Sequence, residues 1–290
     1  MSGSPRPRVL SIAGSDSGGG AGIQADLKTL SAFGVFGMTA ITAVTVQNTE
    51  GVEGFEAISP ATVGAQISAV ATDIGVDAAK TGMLANAPIV EAVASAVRDA
   101  GIATLVVDPV FVSKHGHRLL EEDAVGALRT LILPLATIVT PNLPEAEGLA
   151  GVVVETRDDM RRAADAILGL GAGWVIVKGG HLSDDRAADL LVHGGGEEWL
   201  DGERIDTPNT HGTGCTLSSA LAARLALGDD VPEAARAAKA FVTEAIRHAL
   251  PLGHGIGPVD ALWAIEPGGD LPERPRDEVR RGSAGRPCRP

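Results

Sequence analysis

A three-layer α/β/α fold, with a mostly parallel central sheet flanked by helices, is predicted for this chain by three observations. Short β-branched or apolar runs alternate with amphipathic ones along most of its length, which is the rhythm of strand–helix–strand units. Several of the apolar runs read as buried strands, as in sheets covered on both faces. Glycine-rich or polar turns follow these strands, where parallel sheets present their ligand sites. With 290 residues, 44% of them hydrophobic, one large domain over residues 8–266 is expected. Residues 1–7 read as a flexible leader. Residues 267–290 are Pro, Gly and charge without periodicity, and read as a disordered tail.

The elements follow in order. Arg8–Ala13 is a buried strand that enters the glycine loop Gly14-Ser-Asp-Ser-Gly-Gly-Gly-Ala-Gly22, and Ile23–Phe33 is helical. Met38–Val46 and Val52–Ile58 are strands separated by Gln47-Asn48-Thr49. Pro60–Thr72 is a helix, Ala78–Leu84 a strand that stops at a glycine, and Ala87–Ala100 a helix. Thr104–Asp108 is a strand ended by Pro109. Asp123–Leu131 is helical, and Thr137–Asn142 is a strand whose last residue caps the next helix, with Pro144 in the first turn. Asp158–Leu170 is an amphipathic helix and Trp174–Lys178 a strand. Ala187–Val192 and Glu198–Ile205 form a hairpin through Gly194-Gly-Gly196. Helices follow at Gly214–Leu227 and Val231–Leu250, and a last one begins near Val259.

Composition narrows the function. A formal net charge of -13 argues against nucleic acid or an anionic membrane as partner. No apolar run has the length of a membrane span, and the leader lacks the apolar core of a signal peptide. Cys215 and Cys288 lie in unrelated contexts and form neither a disulfide framework nor a metal pattern, so the expected compartment is the cytoplasm and the expected partner a small molecule.

The chain is organised around Asp206-Thr-Pro-Asn-Thr-His-Gly-Thr-Gly-Cys-Thr-Leu217. A glycine turn opening a helix points unpaired amides and the positive end of the helix dipole at one spot, which suits a phosphate. Cys215 lies in that first turn, where the same field favours a thiolate. Taken alone, Cys215 is equally a small buried filler and the glycines equally the shapers of a tight turn. The first glycine loop has no Gly-Lys-Ser/Thr and is a poor dinucleotide fingerprint, which disfavours a Walker A loop and a Rossmann dehydrogenase.

Seven motifs in order join the two glycine turns: Gly14 to Gly22, Gln47-Asn48-Thr49, Lys80-Thr-Gly-Met-Leu84, Asp108-Pro-Val110, Asn142-Leu-Pro-Glu145, Val177-Lys-Gly-Gly180 and His211-Gly-Thr-Gly-Cys215. Through them the chain resembles the hydroxymethylpyrimidine/phosphomethylpyrimidine kinases of thiamine biosynthesis, in the ribokinase-like superfamily, over roughly Arg8 to Trp263. The resemblance implies ATP-dependent phosphorylation of an aminopyrimidine hydroxymethyl group, and then of the monophosphate. It implies Mg²⁺ and a homodimer as well. The alternatives are a pyridoxal-type vitamin kinase on the same fold and a non-catalytic nucleotide- or pyrimidine-binding regulator.

Under that resemblance Gly212, Thr213 and Gly214 form the anion hole and Cys215 accepts the hydroxyl proton. Sugar kinases of the superfamily place an aspartate there. Gln47, with one donor and one acceptor on a planar amide, reads the ring nitrogen beside the exocyclic amine. Asp26 accepts from that amine or from the hydroxymethyl group, Met83 walls the pyrimidine pocket, and Gly14 lets the backbone approach. Asp108, Lys178, His211 and Lys114 face ATP, and Glu145 holds Mg²⁺ through water. Each has a plainer reading: Gln47 as a strand-end amide, Asp26 as an exposed helical carboxylate, Met83 as core, Glu145 as a helix N-terminal acid, Lys178 and His211 as surface residues. The loop Phe-Val-Ser-Lys-His-Gly-His after Val110 departs from the family pattern, and neither His115 nor His117 is assigned a role.

Overall fold

A computed structural model describes residues 6–112, 116, 119–180, 187–263 and 265. The C-terminal tail, most of the leader, Cys288, Lys114, His115 and His117 lie outside the described residues.

Nine strands form one sheet: β1 (Arg8–Ser15), β2 (Phe36–Gln47), β3 (Val52–Ala57), β4 (Ala78–Thr81), β5 (Leu105–Val107), β6 (Ile138–Val139), β7 (Trp174–Val177), β8 (Asp189–His193) and β9 (Gly196–Leu200). Their order is β3-β2-β1-β4-β5-β6-β7-β8-β9. The six strands from β2 to β7 in that order pair parallel, and β3, β8 and β9 pair antiparallel. The chain leaves β1 toward β2 and later returns to β4 on its other side. That reversal opens a crevice beyond the C-terminal ends of β1 and β4, the usual place for a ligand in such a sheet.

Helices α1 (Gly22–Ala32), α7 (Thr213–Ala226) and α8 (Val231–Arg247) cover one face. Helices α2 (Pro60–Asp73), α3 (Ala87–Asp99), α4 (Glu122–Ala127), α5 (Leu143–Ala150) and α6 (Arg157–Leu168) cover the other. Strand periodicity divides the core between them: Val9, Ala78, Val106 and Ile176 point to the first face, and Leu10, Ala79, Val107 and Val177 to the second. All eight are fully buried or nearly so, which explains runs without alternation.

Several boundaries differ from expectation, among them β6, which ends at Val139 instead of Asn142. β4 ends at Thr81 instead of Leu84, because Gly82 and Met83 leave the ladder to line the crevice. β9 ends at Leu200 instead of Ile205, and Glu203, Arg204 and Ile205 become cleft wall. The helix expected over Asp123–Leu131 is α4 followed by a π turn (Leu128–Ile132) and a 3₁₀ turn (Leu133–Leu135), where Pro134 has no N–H to continue it. Among the described residues no helix starts near Val259. The Val259 and Asp260 amides go instead to the carbonyls of His211 and Ala245, and the chain closes in turns. Among the described residues no helix is long and apolar enough to cross a membrane.

Candidate active site

One cleft of about 760 Å³ holds both glycine turns. The first is folded around Asp16, which is 2% exposed. Its Oδ1 accepts from the Gly18 amide at 2.8 Å, and its Oδ2 from Gly20 at 3.0 Å, Ala21 at 2.8 Å and His211 Nε2 at 2.9 Å. Burial alone would raise this carboxyl, but His211 and the Ala21 and Gly18 amides outweigh it and hold the pKa below the ordinary value. Ser17 Oγ clips the loop to β2, donating to the Gln47 carbonyl at 2.7 Å and accepting from its amide at 2.9 Å. A break in the β1–β2 register between Ala13 and Ser15 turns Gly14 toward Met83, whose sulfur would lie 3.1 Å from a Cβ there.

The second turn docks on the first. Gly212 caps α7 with φ 84°, and a Cβ on it would lie 1.8 Å from the Gly20 carbonyl oxygen, so only glycine fits. α1, α4 and α7 have no side-chain cap, whereas α2, α3, α5, α6 and α8 do. Ala21, Gly22 and residues 212–215, at the starts of α1 and α7, line the cleft, where burial raises the Cys215 thiol pKa and the Gly22 amide pulls it down. A Cβ on Gly214 would stand 3.5 Å from both Asp108 Oδ2 and Lys178 Nζ, which fixes α7's N-terminus beside that ion pair.

Lys178 Nζ lies 3.2 Å from Asp108 Oδ1 and 3.8 Å from Glu145 Oε2. Thr140 and Ser218 hydroxyls add weaker contacts to Asp108 at 3.3 and 3.4 Å. Glu145 also closes a reciprocal cap: its Oε2 takes the Asn142 amide at 2.8 Å, and Asn142 Oδ1 takes the Glu145 amide at 2.9 Å. Burial pushes the Glu145 carboxyl up to about 7, with Lys178 pulling it back and Asp108 adding to the rise. Lys178 stays cationic above its ordinary value, because Asp108 and Glu145 overcome the burial that would lower it.

An uncapped helix end facing a lysine, with two carboxylates behind it, can hold a polyanion. The family model described as phosphomethylpyrimidine kinase matches residues 16–260. The chain belongs to that kinase family. It is 55% identical to the hydroxymethylpyrimidine/phosphomethylpyrimidine kinase of Streptomyces coelicolor, covering 89% of this chain and 96% of that protein. Among solved structures it is similar to the phosphomethylpyrimidine kinase of Clostridium difficile (TM-score 0.74, 44% identity, 83% of this chain and 100% of that one). It is also similar to the pyridoxal kinase of Bacillus subtilis in an ADP complex (TM-score 0.84, 44% identity, 89% and 98%). The fold is ribokinase-like, and the chain is a phosphotransferase.

The kinase cleft gathers Gly14, Gln47, Met83, Asp108, Glu145, Lys178 and residues 211–215, seven strand or loop ends far apart in sequence. Three expectations need correction. Asp26, expected as a substrate ligand or else an exposed carboxylate, is not exposed and is not among the residues that line the cleft. It is fully buried and saturated by Ser11 Oγ at 2.5 Å, Ser219 Oγ at 2.7 Å and Lys80 Nζ at 2.9 Å from both its oxygens. His211, expected to face ATP, has its Nε2 within hydrogen-bond distance of Asp16 and Gln47. Cys215 is not a low-pKa thiol: burial pushes it up to about 12, and Asp26 and Asp108 add to the rise against the pull of Lys80. The helix field is outweighed by loss of water.

Two residues were missed. Asp16 sits among glycines and reads as a turn residue, although an aspartate able to take several amides at once is how such a loop folds. Lys80 lines the cleft at 1% exposure and stays cationic, the burial that opposes it being outweighed by Asp26, Cys215 and Asp108. A lone cation inside the strand Ala-Ala-Lys-Thr was the signal for it.

Proposed function

We propose that this kinase transfers the γ-phosphate of ATP to the hydroxymethyl group of 4-amino-5-hydroxymethyl-2-methylpyrimidine, and then phosphorylates the monophosphate, in the thiamine pathway of the cytoplasm. The observation that carries this reading is a shared cleft. Gln47, whose amide would read the ring, and the uncapped helix start, Gly212 to Cys215, line it together with His211.

In the transfer, the alcohol oxygen bonds to the γ-phosphorus as the bond to the β–γ bridging oxygen breaks, and ADP leaves. Such a transition state needs placement and charge stabilisation more than covalent help. The Gly214 and Cys215 amides and Lys178 supply that charge stabilisation. Because the Cys215 thiol is pushed up to about 12, it carries its hydrogen at neutral pH. Its role is then a relay: the alcohol hydrogen passes to Sγ while the thiol hydrogen passes to a phosphoryl oxygen. The sulfur ends as it began.

Asp108 and Glu145 are the residues that would hold Mg²⁺, through water. Two buried carboxylates share one lysine, and the rise of Glu145 to about 7 reflects negative charge that a divalent cation would offset. Bound there, the ion would supply positive charge to offset that of the ATP phosphates. Lys114 is kept as a candidate phosphate contact on the resemblance alone. A homodimer belongs to the same reading, and Val44 and Val46, exposed on one face of β2, are where a second copy would seat.

Pyridoxal is the second substrate worth testing, because a solved pyridoxal kinase shares 44% identity and a TM-score of 0.84 with this chain. An ADP-coupled assay with hydroxymethylpyrimidine, its monophosphate and pyridoxal in parallel decides between them. The proposal expects turnover on the first two to exceed that on pyridoxal. ADP release on none of them would return the chain to a binding role.

A further inference from the structure

His211 is buried and its Nε2 is turned to the Asp16 carboxylate, and the phosphoryl-transfer reading above gives its imidazole no task. Its ring lies where two demands meet. Asp16 Oδ2 is 2.9 Å from Nε2, and the end of the Gln47 carboxamide placed as Nε2 is 3.2 Å from the same nitrogen. Asp16 already takes three backbone amides, so it is an ionised acceptor and Nε2 must bring a hydrogen to it. A ring nitrogen that carries a hydrogen has no lone pair left for an NH₂ group.

The two ends of a carboxamide have the same shape, so hydrogen balance decides which faces which. Toward His211 the Gln47 amide must therefore present its oxygen. Its other end is 3.3 Å from Thr45 Oγ1, and the Thr45 hydrogen is used on the Ser15 carbonyl at 2.8 Å. Thr45 Oγ1 can only accept there, and it asks for the NH₂. Both neighbours demand the same orientation, with the oxygen and nitrogen of the carboxamide exchanged from their placement beside His211 and Thr45.

We infer that the Asp16–His211 pair is a specificity device: it fixes the sense of the Gln47 amide and thereby the way round in which an aminopyrimidine lies in the cleft. One lone pair remains on the His211 side and one N–H on the Thr45 side. The exocyclic amine then binds toward His211 and the ring nitrogen toward Thr45. On this ring the hydroxymethyl carbon neighbours the amine, on the side away from that nitrogen. The fixed sense therefore directs the hydroxymethyl group past His211 toward Gly212 and Cys215, which follow it in the chain. An amide turned over would direct it away from the transferring phosphate.

The backbone is built to hold this ring still. His211 N donates to the Gly257 carbonyl at 3.1 Å, and its own carbonyl takes the Val259 amide at 3.0 Å. A Cβ on Gly20 would come within 2.6 Å of His211 Cδ2, so the first glycine loop grips the imidazole edge. His211 is a positioning residue here, acting through Gln47.

This inference rests on Gln47 reading the ring, and a double-mutant cycle separates the two claims. In His211→Leu the freed Asp16 carboxylate draws the Gln47 NH₂ toward itself and reverses the amide. The expected result is a fall of about 10-fold or more in kcat/KM for the aminopyrimidine, the worth of one misdirected hydrogen bond. The KM for ATP is unchanged. His211→Gln, which reaches Asp16 with an N–H, restores most of the loss. In a Gln47→Leu background the His211→Leu effect disappears, because there is no amide left to orient. Calorimetric binding of the aminopyrimidine without ATP, on variants checked for unchanged melting, reports the same cycle without turnover. If Gln47→Leu alone leaves kcat/KM unaltered, the ring-reading role falls and takes this inference with it. If Gln47→Leu is damaging and His211→Leu costs the same factor with or without it, or raises the KM for ATP instead, only the inference is overturned.

Discussion

Cys215 gives the sharpest prediction, because the structure reverses what its position in the chain suggests. Burial takes the thiol from an ordinary value of 9.0 to about 12. At pH 7 that leaves a thiolate fraction of about one in 10⁵, against about one in 100 for the unshifted group. A resident thiolate base would make log kcat climb by about one unit per pH unit from 8 to 10. A relay through the protonated thiol leaves kcat level across that range. The window suits the measurement: Glu145, pushed up to about 7, is already ionised throughout it, and Lys80 remains a cation. Two substitutions complete the test. Serine keeps a hydrogen that can be passed on, so Cys215→Ser is expected within about 10-fold of wild type, while Cys215→Ala is expected to lose about 100-fold, the low end for a proton-transfer group. Steady-state kcat with saturating ATP is the assay. A slope of one between pH 8 and 10, or a serine variant as slow as the alanine one, would refute the relay.

Glu145 ties stability to pH. Its folded pKa lies above the carboxylate value of 4.5, so the folded state keeps a proton that the unfolded chain gives up. Its cost to stability is absent below about pH 4.5 and grows to full size as pH rises through about 7. Glu145→Gln, which can still complete the cap with Asn142, should therefore melt higher than wild type by an amount that opens between pH 5 and 8, up to about 3 kcal/mol, while turnover drops; equal melting at pH 8 speaks against it. The Asp26–Lys80 pair should respond in the opposite way. Asp26→Asn leaves a buried ammonium short of charge, and urea titration should show a loss of about 3–5 kcal/mol, part of which Asp26→Leu/Lys80→Met recovers. At Gly212, alanine meets both the left-handed φ of 84° and the Gly20 oxygen, so Gly212→Ala is expected to cut kcat by about 100-fold or more with the aminopyrimidine still bound; unchanged kcat would mean that the helix start does not face the phosphate.

Local order was legible wherever it rests on local chemistry. Asn142 and Glu145, three apart beside Pro144, announced a helix start, and the structure shows the reciprocal cap between them. Gly194-Gly-Gly196 between two apolar runs announced the β8–β9 hairpin. Strand ends were harder. Whether Gly82 or Ile205 stays in a ladder depends on what the neighbouring strand offers, and that is not written in either segment.

The sequence by itself determined the alternation of strands and helices, the two glycine turns, the set of polar residues at strand ends and the kinase family. These follow from periodicity and from residues whose backbone freedom or hydrogen-bonding is their own. The tertiary structure alone decided what each polar group does. Asp26 and Asp108 are both single acidic residues in their segments, yet one is spent on Lys80, Ser11 and Ser219 and the other stands in the cleft beside Lys178. Cys215 sits at a helix start, yet loss of water governs its proton. Burial and distance across the fold set those energies, and both are properties of residues brought together from strands up to two hundred positions apart.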